Sequence, residues 1–295
     1  MHAIATIICA QPGPGSSVWV GMETQSIERL PVPSPPRCPI SVAAPPTPVV
    51  APAPSFALER AGWQWLPVSA HIRERYLVTF RAPADAVARL VPAPLTVDSF
   101  RGHGFVSVCA LEMDDMGLAG TPSWLRWKNL ELLYRVGVRA GDAPSFLTLR
   151  SDVSARRLAL LGRYFSHYRP HLAHMERAAP HDRFRLACRS CDGVGDAEFE
   201  ATPGGPRELN ATFTDAAEAA AFMLGMRFSV DVRPGGRVRA QEIDHDPWGA
   251  RFATPTRRRF AFIESLSRAI GAPLIYDHTL VMRDLRQTWR AARWI

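Results

Sequence analysis

The run Phe228-Ser229-Val230-Asp231-Val232, then Arg233-Pro234-Gly235-Gly236, then Arg237-Val238-Arg239-Ala240 reads as two antiparallel strands joined by a tight turn. Glycine reaches the positive φ that such a turn needs, and alternating side chains on either side give each strand one buried and one exposed face. The same grammar recurs upstream. Tyr76-Leu77-Val78-Thr79-Phe80 and Gly104 to Leu111 read as strands. Leu130 to Val138 turns at Ala140-Gly141-Asp142 into Ser145 to Leu149, and Arg185 to Ser190 pairs across an Asp-Gly turn with Ala197 to Thr202.

Helical signals are fewer. Pro83 opens a short helix over Ala84 to Leu90, which Val91-Pro92-Ala93-Pro94-Leu95 ends. Thr214 and Asp215 cap an alanine-rich helix over Ala216 to Leu224. Thr254-Pro255 reads as a cap followed by a first-turn proline, leading into a helix whose Phe262, Ile263, Leu266 and Ile270 share one face before Gly271. Strands outnumber helices and follow one another as hairpins. The predicted fold class is therefore α+β, a mainly antiparallel, barrel-like sheet with a few packed helices.

Residues 31 to 54 hold ten prolines among 24 positions. Proline removes backbone donors and turns its predecessor away from helix, so this stretch is expected to be an extended tether. A disordered arm over residues 1–60 and a domain over residues 61–295, its globular part beginning near Trp63, follow from that boundary. A PxxP ligand for a partner's aromatic groove is the alternative use of the arm. The opening residues carry no Lys or Arg before Arg29, so they make a poor secretory signal, and Met22 is an alternative start.

No run of about eighteen apolar residues exists, which argues against a membrane span. The net charge is +7, but the arginines are spread along the chain, and Arg257-Arg258-Arg259 is short enough to be one exposed helix face. Without zinc-finger spacing or an aromatic-basic signature, nucleic acid is not an expected partner. Five cysteines form no disulfide framework, and a strand through Cys188 would turn Cys191 to the other face, so a reduced cytoplasmic protein without a metal is expected.

Few residues invite chemistry. His167, His171 and His174 stand at helix-face spacing, although Pro170 interrupts them and no HExxH glutamate accompanies them. Ile243-Asp244-His245-Asp246-Pro247-Trp248-Gly249 sets an imidazole between two carboxylates, which suits either an oriented general base or a capped turn. Lys128 is the one lysine beside 34 arginines. A desolvated lysine becomes a nucleophile, but Lys128 begins a strand beside Trp127 and Asn129, where lysines usually reach solvent. No P-loop, GxSxG elbow or GxGxxG after a strand is present, and no cofactor is expected.

Arg73 to Arg81 followed by Leu90-Val91-Pro92-Ala93-Pro94-Leu95-Thr96-Val97-Asp98 resembles the start of acetoacetate decarboxylase-like proteins. Leu147 to Asp152, Tyr168 to Met175 and Ile243 to Trp248 resemble its uncharacterised YqjF-like branch, and the similarity runs over about residues 65 to 285. The resemblance implies a cone-like β barrel with helices outside. It also implies a site in which one lysine forms an iminium with a ketone while a neighbouring lysine lowers its pKa. The matching run here, Tyr168-Arg169-Pro170-His171-Leu172, has no primary amine. By the same resemblance Arg73 matches the arginine that faces the pocket, and Glu131 lies near but offset from the family's glutamate.

Two functional readings stand. In the first, Arg73, Glu131 and Arg169 bind a small carbonyl or carboxylate compound while His171, His174 and His245 carry protons, with Lys128 the one candidate amine. In the second, the chain is a non-catalytic ligand-sensing or scaffold protein whose Pro-rich arm recruits a partner. Self-association into a homo-oligomer is compatible with either.

Overall fold

A computed structural model describes residues 66–165, 168–178, 183–206, 211–247 and 249–295. The Pro-rich arm, Trp63, His167 and Trp248 lie outside the described residues. In chain order the elements are β1 (Val68–Pro83), α1 (Ala84–Val87) running into a 3-10 turn (Ala88–Leu90), β2 (Thr96–Val97), β3 (Ser99–Phe100), β4 (His103–Leu118), β5 (Trp127–Ala140) and β6 (Ala143–Val153). There follow α2 (Arg156–Phe165), β7 (Pro170–Ala178), β8 (Phe184–Ser190), β9 (Ala197–Pro203), α3 (Ala216–Gly225), β10 (Phe228–Arg233) and β11 (Arg237–His245). The chain ends with β12 (Arg251–Phe260), α4 (Ala261–Ile270), β13 (Ile275–Trp289) and β14 (Arg293–Trp294).

Among the described residues the strands form one sheet. Its wall is β13-β1-β4-β5-β6, paired antiparallel throughout. The two edge strands of this wall each take two partners. The first half of β6 pairs in parallel with β10 at Ser145 to Leu147, and its last residues pair in parallel with β7 at Ser151 to Val153. On the other edge, β13 pairs with β12 at Leu280 and Val281 and with β11 at Gln287 to Trp289. The wall is thus closed twice, by the hairpin β10-β11 and by the run β7-β8-β9-β12. The sheet is mixed and ring-closed rather than a regular barrel, because β6 runs parallel to both of its outer neighbours.

Alternation along the wall feeds two cores. Tyr76, Val78, Val108, Leu132 and Tyr134 join the side that holds Phe184, Phe199, Phe260 and Phe262. Leu77, Phe105, Cys109, Leu111 and Met113 join the side covered by Phe213, Ala219, Met223 and Met226 of the α3 region. In the first core Phe199 sits 5.5 Å from the ring of Tyr76 and 6.0 Å from those of Phe184 and Phe260, within the range of favourable aromatic pairs.

The α3 start is reciprocal: Asp215 Oδ1 accepts the Glu218 N–H at 2.8 Å, and Glu218 Oε2 accepts the Thr214 N–H at 2.6 Å. Helix α4 ends on Gly271 at φ 65°, the left-handed cap that its position predicts. Its start differs from the Thr254-Pro255 expectation. Both residues lie in β12, and Pro255 sits where the pairing with β9 shifts register, a place that tolerates a missing N–H. The three arginines that follow therefore line a strand, not a helix face; Arg257 pairs with Glu198 at 2.7 Å and Arg258 lies 4.0 Å over the Tyr276 ring.

No helix among the described residues is long and apolar enough to cross a membrane. Replacing Phe199 with alanine removes a buried ring shared by three others, and a loss of about 3–5 kcal/mol in chemical denaturation is expected. A loss below about 1 kcal/mol would mean that the aromatic layer does not hold the β7-β8-β9-β12 run to the wall.

Candidate functional site

Register brings the site together. Arg75 of β1 stands opposite Leu111 of β4, which stands opposite Glu131 of β5. Cross-strand partners project to the same face, so the guanidinium and the carboxyl emerge on one side of the wall, two strands apart. One step along lie Cys109 and Leu133. Phe146 of β6, Ile243 and His245 of β11, and Gln287 and Trp289 of β13 close the sides, while Tyr168, Met223, Met226 and Arg227 complete the lining. About 40 Å³ of free space lies within this ring, room for about three waters or a molecule of a few heavy atoms.

Glu131 is 4% exposed. Its Oε1 accepts from Ser151 Oγ at 2.7 Å and from the Tyr168 hydroxyl at 3.4 Å. Burial pushes its carboxyl up to about 7, against the downward pull of those two donors and of the Arg75 charge. Arg75 is buried as well and donates from Nη2 to Gln287 Oε1 at 2.5 Å. Burial brings it down to about 10, which leaves it cationic at neutral pH. Burial also pushes the His245 imidazole down, and the charges of Arg75 and Arg227 add to this. His245 Nδ1 lies 3.0 Å from the Asp246 carbonyl, so the neutral ring donates there and keeps Nε2 as an acceptor. Arg135, also buried, places its guanidinium 4.7 Å over the Phe146 ring. The site thus holds cations beside one carboxyl able to gain or lose a proton near neutrality, a combination suited to a small anion and to proton exchange.

Of the residues singled out from the sequence, Glu131 and His245 line this pocket and the others stand elsewhere. Arg73 falls between Ile72 and Glu74, where the β1-β4 pairing shifts register. That bulge lets Ile72 take the inward position and turns Arg73 out to Asp114, at 3.2 Å and half exposed. His171 and His174 lie on strand β7, not on a helix, so three-residue spacing separates rather than gathers them. His171 is half-buried beside the Asp152 charge, and His174 is exposed, 3.8 Å from Glu176. Arg169 is exposed. Lys128 has a side chain 81% exposed, with Nζ 3.7 Å from Asp114 Oδ1. Cys188 of β8 is buried, and Cys191, in the turn just after the strand, is exposed. Among the described residues no group of three or more His, Cys, Asp or Glu side chains is placed to hold a metal ion.

Arg75, Arg135 and Tyr168 also line the pocket, although none was among the candidate site residues. The available signal was parity: Arg75 alternates with Leu77 and Arg135 with Leu133, so each is a charge on the apolar face of its strand.

The carboxyl of Glu131 makes stability depend on pH. Because its folded value exceeds the usual 4.5, the folded state holds more protons between 4.5 and about 7, and stability falls as pH rises through that window. The expected span is up to ~3 kcal/mol. Glu131→Gln should flatten this part of the profile, followed by denaturation at several pH values. Equal slopes for the two proteins would show that Glu131 titrates in the ordinary range.

A family model described as "Uncharacterized conserved protein", DUF2071, matches residues 69–276. Comparison with curated protein sequences yields no match. Among solved structures, the enduracididine biosynthesis enzyme MppR complexed with pyruvate superposes with a TM-score of 0.53 at 15% identity, covering 78% of this chain and 90% of that one. Acetoacetate decarboxylase from Legionella pneumophila gives 0.53 at 14% identity, with 78% and 87% covered. An acetoacetate decarboxylase-like enzyme from Sphingomonas wittichii RW1 gives 0.51 at 12%, with 77% and 92% covered. The fold is acetoacetate decarboxylase-like, and the chain belongs to the DUF2071 family of uncharacterized conserved proteins.

Proposed function

We propose that this domain binds a small carboxylate carrying a carbonyl, such as a 2-keto acid, in the Arg75–Glu131 pocket, and that Glu131 exchanges a proton with the bound molecule. The observation that carries this reading is a carboxyl poised near neutrality in a small enclosed space beside a fixed guanidinium. Arg75 brings a buried guanidinium charge to a bound carboxylate, and Arg135 and Arg227 add positive charge around it. The pyruvate in MppR supports the reading only in showing that a protein of this fold holds such a molecule.

The chemistry differs from that of an iminium-forming relative. The one lysine in the chain reaches solvent, and none lines the pocket. A guanidinium stays protonated and is a poor nucleophile, and an imidazole forms no stable iminium with a ketone. What the lining residues can do is acid–base work. A guanidinium holds the carboxylate, and the ionised Glu131 or the neutral His245 takes a proton from the carbon beside the carbonyl. The resulting negative charge on oxygen is stabilised by the surrounding cations.

Two readouts test this. Pyruvate should raise the melting temperature of the protein, and Arg75→Ala should weaken its binding by at least about tenfold, while Lys128→Ala leaves it unchanged. In D₂O the methyl protons of pyruvate should exchange faster with the protein than without it, and Glu131→Gln should slow this by about a hundredfold. Borohydride treatment with pyruvate should leave the protein's mass unaltered. An adduct that disappears in Lys128→Ala would overturn the reading, as would an absence of binding.

A further inference from the structure

Beneath the pocket, on the same face of the wall, lies a buried row of polar groups. Thr79 of β1 stands opposite Ser107 of β4 on one side and His278 of β13 on the other. All three are 3% exposed or less. The two hydroxyls are 3.4 Å apart, and Ser107 Oγ lies 4.0 Å from Met223 Sδ. Met223 also lines the Arg75–Glu131 pocket. Met223 therefore borders both the pocket and the row, with Leu77, Cys109 and Leu280 on the wall between them.

His278 is held as an oriented base is held. Its Nδ1 lies 2.7 Å from Asp277 Oδ1. Burial alone would raise the Asp277 carboxyl, but donation from His278 and Thr212 holds it below the usual range. Its other oxygen, Oδ2, accepts from the Thr212 N–H at 2.9 Å, Thr212 Oγ1 at 2.6 Å and Arg81 Nη1 at 2.9 Å. An ionised carboxylate only accepts, so Nδ1 carries a proton, and in the tautomer with that one proton Nε2 is an acceptor. That Nε2 is buried without a hydrogen-bond partner, among the rings of Phe213 and Phe252 at 5.2 and 6.2 Å. A phenylalanine would fill such a place without leaving a polar atom unsatisfied.

The geometry points to a second, inner subsite formed by His278, Thr79 and Ser107, entered when Met223 moves aside, that takes a hydroxyl at the far end of a carboxylate held at Arg75. This rests on the binding reading above and names its longer substrates as hydroxylated acids. The hydroxyl would donate to His278 Nε2 and accept from Thr79 or Ser107. Arg75 and Thr79 are four positions apart on β1, about 13 Å of strand. After the reach of the arginine side chain, the remaining gap suits a ligand of about six carbons rather than a three-carbon acid. Methionine is suited to the gate because its unbranched thioether repacks readily.

Calorimetry with pyruvate, hexanoate and ω-hydroxyhexanoate tests the subsite, pyruvate being the control that ends short of it. The hydroxy acid should bind about tenfold more tightly than hexanoate, because a buried acceptor penalises the analogue that lacks a donor. His278→Phe should abolish that preference and leave pyruvate binding in place, and Ser107→Ala should reduce it. If His278→Phe does not fold, the ¹⁵N shift of Nε2 in the unaltered protein decides: movement on adding ω-hydroxyhexanoate and none with hexanoate supports the subsite. Equal affinities for the two acids, with pyruvate still bound, would overturn this inference alone. Failure of all three to bind would overturn the pocket reading with it.

Discussion

A carboxyl carried into the interior of a closed sheet must be neutralised or compensated, and Glu131 shows both responses. Burial favours its protonated form, while Ser151, Tyr168 and Arg75 stabilise the ionised one, and the balance leaves the group near neutral pH. That balance requires the rest of the fold. Arg75 and Glu131 are 56 residues apart in the chain and meet only because β1, β4 and β5 pair in one register. The enclosure that desolvates them requires β6 and β13 each to pair twice, since β10 and β11 bring Ile243 and His245 against the wall.

The broad architecture was legible in local patterns. Alternation and glycine turns gave the hairpins β5-β6, β8-β9 and β10-β11, and the resemblance gave the cone-like closure. The Thr254-Pro255 signal misled because a cap-then-proline pair and a proline at a strand irregularity look alike without knowledge of the neighbouring strand. Here β9 supplies that neighbour, and the bond pattern skips the residue that cannot donate. Parallel pairing of β6 with β10 and β7 was equally invisible, because long-range parallel contacts leave no turn signature between the partners.

The site was legible only in part, for a related reason. Glu131 and His245 stood out as polar residues near runs matched by resemblance, and both line the pocket. Arg73 and Arg75 have the same parity in the sequence, so alternation alone cannot choose between them. The bulge chooses, by giving Ile72 the inward place and turning Arg73 toward Asp114. The histidines were grouped by a helical spacing that fails once Pro170 opens a strand. Tyr168 belongs to a run matched by resemblance and Gln287 to none; their places in the pocket come from distant segments of the chain meeting across it.

The pocket of this chain presents buried guanidinium groups beside a carboxyl that burial holds near neutrality. In the proposed function, charge stabilisation by those groups would serve proton transfer at a carbonyl compound. A crystal structure of the protein soaked with pyruvate tests this account most directly. Density for one intact pyruvate is expected in the pocket, its carboxylate against Arg75, its carbonyl oxygen toward the cations and no continuous density to any side chain. Pyruvate joined covalently to a side chain, or a pocket that stays without ligand at saturating concentration, would contradict it.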